Sequence, residues 1–154
     1  MTARQILYRD IATPFMIREE ITKLVRYHGL PLWVFEKADP QKAVITASLE
    51  VNTRLLAILA RADALGRSCE DKADLLYRLD CFEELCRENQ CWGVPRAFET
   101  TAARMNYLLK ENVSPDYVPF KQPATQVVIM SGLPGAGKDT WVQQHYKQWP
   151  VISL

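Results

Sequence analysis

No charge of one sign dominates this chain. Its 19 lysines and arginines face 18 aspartates and glutamates, and the net charge of +1 is unlike a basic nucleic-acid tail and otherwise says nothing about partners. Nor is there an apolar run of membrane length: Leu55-Leu-Ala-Ile-Leu-Ala60 and Val127-Val-Ile-Met130 fall far short of the roughly 20 residues a bilayer helix needs. The N-terminal Met1-Thr-Ala-Arg-Gln-Ile6 lacks the basic region, apolar core and small-residue cleavage site of a secretory signal. These absences predict a cytoplasmic protein with no membrane partner. What is present, 48% hydrophobic and 24% charged residues, excludes a disordered chain, and 154 residues allow one or two structural units.

Thiols and imidazoles are also few. Of four cysteines, Cys81, Cys86 and Cys91 are spaced by five. On a helix that spacing advances about 500° per step, so the three point to different faces and do not converge on zinc. They are read as reduced, small buried hydrophobes. The two histidines are His28 and His145.

Apolar spacing predicts helices over the first 110 residues. Ile17, Ile21, Leu24, Val25 and His28 mark one, with a C-terminal stop at Gly29 followed by Pro31. Val44, Ala47, Val51, Leu55, Ile58, Leu59 and Ala62 form a longer stripe between Pro40 and Gly66 and predict a single helix. A third starts at Asp71 and carries Leu75, Leu76, Leu79, Phe82, Leu85 and Cys86 on its apolar side, with a break over 89–93. A fourth runs from about Thr100 to Lys110.

Three prolines between Asn112 and Pro123 remove backbone donors and force extended geometry, which predicts a linker over 112–125. Beyond it, Gln126-Val-Val-Ile-Met-Ser131 has the length and β-branching of a buried parallel strand. A helix is expected from Asp139 to about Tyr146, and Pro150-Val-Ile-Ser-Leu154 reads as the opening of a second strand. The expected fold is therefore mainly α: a helical region over 1–111, then a strand, glycine-rich loop and helix over 126–154 that begin an α/β domain.

The chemistry-bearing motif is Gly132-Leu-Pro-Gly-Ala-Gly-Lys-Asp-Thr140. Unpaired N–H groups at a helix start converge on one spot where the helix dipole is positive, and a polyphosphate fits there. Gly132, Gly135 and Gly137 let the backbone approach the phosphate oxygens, while Lys138 sets a charge against the outer phosphates. The general motif has Ser or Thr directly after the lysine to hold magnesium, whereas this chain has Asp139 there and Thr140 next. Thr140 is then the hydroxyl contact to magnesium through the nucleotide, with Asp139 a helix cap or a carboxylate on the magnesium side through water. The loop residues Leu133, Pro134 and Ala136 complete the expected ATP contact, and Lys138 is the expected catalytic residue.

This Gly-x-Pro-Gly-x-Gly-Lys-x-Thr form resembles adenylate-kinase-like and polynucleotide-kinase-like P-loops, which place a threonine at this second position. In the helical part, Leu24-Val-Arg-Tyr-His-Gly-Leu-Pro31 and Leu59-Ala-Arg-Ala-Asp-Ala-Leu-Gly-Arg67 resemble later motifs of HD-domain phosphohydrolases, such as the HD region appended to bacterial tRNA nucleotidyltransferases. That resemblance implies a divalent metal on Asp63, with His28 matching a supplementary histidine, although the defining His-Asp pair is absent. From the residues alone His28 is a helix-end histidine favoured by the dipole, and Asp63 a surface carboxylate beside Arg61 and Arg67.

Taken in order, HD-like helices and then this loop resemble an internal piece of bacterial bifunctional RNA end-healing proteins, in which an HD phosphohydrolase is fused to a P-loop polynucleotide kinase. The resemblance implies transfer of a phosphoryl group from ATP, with Mg2+, to an RNA 5′-hydroxyl. It also implies that the rest of a larger or split protein is a partner. Two alternatives stand beside it: a helical interaction module whose P-loop is vestigial or completed in trans, and a remnant of a metal-dependent phosphohydrolase. No basic aromatic stripe of the single-strand-binding kind is visible in the sequence.

Overall fold

The computed structural model describes residues 2–120 and 126–152. The chain divides into two compact units, Met1–Pro119 and Phe120–Leu154. It is mainly helical, with no strand among the described residues. The first unit holds α1 (Ala3–Arg9), α2 (Phe15–Tyr27), α3 (Leu30–Trp33), a 3-10 turn (Val34–Glu36), α4 (Pro40–Ser48), α5 (Thr53–Gly66), α6 (Lys72–Glu88) and α7 (Thr101–Leu109). The second holds α8 (Lys138–His145).

One boundary differs from the sequence reading, for a local reason. The stripe from Val44 to Ala62 forms two helices, α4 and α5, whose axes turn by 111°. Asn52 makes the break: its side-chain oxygen accepts the N–H groups of Arg54 (3.0 Å) and Leu55 (3.1 Å), and its amide donates to Gly93 O at 3.1 Å. An N-cap satisfies orphan donors that a continuous helix would not have, so a new helix starts there. α2 ends at Tyr27, just before Gly29 as expected, and Pro31 lies in the first turn of the short α3, where its missing N–H costs nothing. Among the described residues no single helix is long and apolar enough to cross a membrane.

The core lies where α4, α5, α6 and α7 meet. Val34, Val44, Ile45, Leu56, Phe82, Cys86 and Tyr107 are buried together, and Leu32, Ala60, Ala64, Leu75 and Leu79 form a second cluster. Buried aliphatic side chains of this size each contribute about 1.5–3 kcal/mol relative to exposure. Small residues on α5 (Ala57, Ala60, Ala64) let its backbone approach α6, the most extensive helix pair.

The segment after α6 is pinned to the α4–α5 break. Thr53 Oγ1 donates to Cys91 O (2.6 Å) and accepts from Gly93 N (2.8 Å), while Arg96 N donates to Ser48 Oγ at 3.1 Å. The buried Arg96 guanidinium donates to Asn89 O at 3.2 Å and to the Asp116 carboxylate. Asp116 belongs to the proline-rich stretch expected to be a linker, so this bond ties the beginning of that stretch to the first unit. Residues 121–125 of the expected linker lie outside the described residues.

In the second unit the expected strand Gln126–Ser131 is not formed. Exposure alternates along it, Val127 77%, Val128 37%, Ile129 86% and Met130 37%, as side chains on an extended chain do. A strand exists only when a neighbour takes up its N–H and C=O groups, and no such neighbour occurs among the described residues. Pro150–Ile152 is likewise irregular, and residues 153–154 of the expected second strand lie outside the described residues.

Candidate functional site

The phosphate-loop motif folds as a turn entering a helix. Gly135 and Gly137 have φ of +76° and +80°, a left-handed conformation in which a Cβ is strained. A Cβ built on either glycine would meet nothing within 4 Å, so backbone conformation, not space, is what requires glycine here. The bond Ala136 N to Leu133 O (3.2 Å) closes the turn, and Gly137 is the N-cap of α8.

From that cap α8 begins with Lys138, Asp139 and Thr140, whose N–H groups have no intrahelical acceptor because they form the first turn. Trp141 is the first to donate back, to Gly137 O at 2.9 Å. Asp139 is the acidic residue of that first turn, where the helix dipole favours a carboxylate. Lys138 Nζ donates to Gly132 O (2.8 Å) and Leu133 O (2.9 Å), so the ammonium is folded over the loop it follows. Three orphan donors, the positive end of a helix dipole and one ammonium thus occupy a short stretch of chain, a combination suited to a polyphosphate. Behind it, Trp141 stacks on His145 at 4.3 Å between ring centroids, and Tyr146 packs on both Trp141 and Trp149.

The HD-type residues are engaged differently. Asp63 accepts from Arg67 at 2.5 Å one turn along α5. His28 Nδ1 lies 2.7 Å from Val25 O. Among the described residues no three His, Cys, Asp or Glu side chains gather as a metal site. Of the cysteines, Cys86 and Cys91 are buried together in the core, Cys81 is half-buried and Cys69 is exposed.

Sequence reasoning missed a cleft of about 650 Å3 in the first unit. Its lining includes Arg26, Tyr27, Trp33, Lys37 and Lys42, brought together by the turn after α2, by α3 and by the start of α4. These residues show no periodic signal, because three short elements and not one helix face assemble them.

No protein-family model, curated protein or solved structure matches the chain.

Proposed function

We propose that this chain binds ATP through a P-loop related to those of polynucleotide 5′-kinases, with the segment from Gly132 to Thr140 around the β and γ phosphates of MgATP. The observation that carries the reading is the pair of left-handed glycines, Gly135 and Gly137, leading into a helix that opens on Lys138-Asp-Thr140. In this reading Lys138 exchanges its two carbonyl acceptors for phosphate oxygens, a change from neutral to charge-assisted hydrogen bonds about twice as strong. The N–H groups of the first turn of α8 take up the remaining oxygens, and Thr140 offers its hydroxyl to the magnesium ion. Bound there, MgATP would supply a γ-phosphoryl group whose charge the metal and Lys138 offset. An RNA 5′-hydroxyl as acceptor is supported by the resemblance of the loop and of the helix motifs before it.

Gly137→Val tests the loop. A β-branched residue resists φ of +80°, and the left-handed conformation costs about 1–2 kcal/mol even for an ordinary residue. Equilibrium dialysis is expected to show MgATP retained by the parent chain and weakened about tenfold or more by the variant, which corresponds to about 1.4 kcal/mol. Equal retention by both would contradict the reading.

A further inference from the structure

We propose that the cleft between the end of α2 and the start of α4 is a second binding site, for a phosphorylated nucleoside, with Arg26, Lys37 and Lys42 facing the phosphate and Tyr27 and Trp33 the ring.

The charges of the cleft are available. Lys37 has no ion-pair partner among the described residues. Lys42 Nζ donates to the neutral carbonyl of Lys110 at 2.8 Å and lies 5.8 Å from the Tyr107 ring centroid, so no carboxylate pairs with it among the described residues. Arg26 meets Glu50 only at 3.8 Å, with 72% of the Arg26 side chain exposed, a pair that exchanges readily for a phosphate. The carboxylate that lines the cleft, Asp39, is turned toward the start of α4, where it accepts from Lys42 N at 2.8 Å.

The aromatic half is equally specific. Trp33 is 41% exposed, and Arg78 lies 5.0 Å from its ring centroid. Gly29 keeps the approach open: a Cβ there would sit 3.8 Å from Trp33 Cδ1, and a longer side chain would fill the space beside the ring. His28 has its Nδ1 engaged with Val25 O, so Nε2 remains for a sugar hydroxyl. A volume near 650 Å3 is in the range of small-molecule sites, and cations beside an aromatic wall suit a ligand carrying both phosphate and a flat ring. This site uses none of the phosphate-loop residues, so it stands or falls independently of the ATP reading.

The test uses the full chain carrying Lys138→Met, which silences the loop, titrated calorimetrically with AMP, adenosine, inorganic phosphate and a 5′-phosphorylated trinucleotide. AMP is expected to bind at least tenfold more tightly than adenosine or phosphate. Arg26→Ala with Lys37→Ala, both at exposed positions, is expected to weaken AMP at least tenfold with thermal melting unchanged. Trp33→Leu is expected to remove the preference for AMP over phosphate. A trinucleotide bound tenfold more tightly than AMP identifies a strand end as the source of the nucleotide, and equal affinity identifies a free one. AMP binding no better than phosphate, or unaffected by the double substitution, would overturn the proposal.

Discussion

Cys91 donates its backbone N–H to the carbonyl of Cys86 across 2.8 Å, and Gln90 donates to Arg87 O across 3.0 Å inside that loop. Together they form the Schellman closure of α6, which places a residue in the left-handed region; here it is Gln90, with φ of +51°. The closure brings the two buried thiols into contact. A hydrogen bond to Cys91, reinforced by burial, pushes the Cys86 thiol up, and the same bond pulls the Cys91 thiol down. Both remain in the core beside Thr53 and Ser48, which orders the segment that carries Arg96.

Gln90 occupies a conformation that glycine adopts without strain. Gln90→Gly is expected to stabilise the chain by about 0.5–1 kcal/mol, the left-handed strain relieved less the added unfolded-state entropy. For a chain of this length that raises the midpoint of a thermal scan by about 1–4 °C. A lower midpoint would contradict the assignment of the closure.

Asn52 both starts α5 and anchors Gly93. Asn52→Ala is expected to cost about 1–2 kcal/mol in urea unfolding at unchanged m-value, while Asn52→Asp keeps the acceptor and recovers most of the loss. Equal stability of the Ala and Asp variants would show that the cap does not hold the break.

Tyr107 is 2% exposed, and its hydroxyl has no hydrogen-bond partner among the described residues. Burial, with Asp39 nearby, pushes the phenol from 10.0 up to about 12. Because the folded value lies above the unfolded one, its contribution is fully present below about pH 10 and is lost as pH rises through about 12. Tyr107→Phe is expected to retain stability at pH 7 to within about 1 kcal/mol. It should also decline less steeply between pH 10 and 12, by chemical denaturation at each pH, and an unchanged profile would contradict this.

The helices with clear caps and one apolar face were legible in the sequence. Asp71 precedes α6, whose Leu75, Leu79, Phe82 and Cys86 are buried as their spacing predicts, and Thr100 caps α7 by accepting from Ala103 N at 3.0 Å. The apolar stripe misled at α5. Its turn at Asn52 resets the phase, so Leu56, Ala57, Ala60 and Ala64 are inside while Leu55 (39%), Ile58 (57%) and Leu59 (37%) face out. The Asn-Thr pair at 52–53 is the available signal, but the apolar positions keep helical spacing across it. The glycine-rich loop could be read because its conformation is local. The cleft could not, since Arg26, Trp33 and Lys42 meet only through the turns at Gly29 and Asp39.

The most direct test of the central claim is a calorimetric titration of MgATP into the parent chain and into Lys138→Met at matched ionic strength. The ATP reading predicts saturable binding to the parent that the substitution weakens tenfold or more, about 1.4 kcal/mol or above. Equal binding by the two chains, or binding by neither, would contradict it.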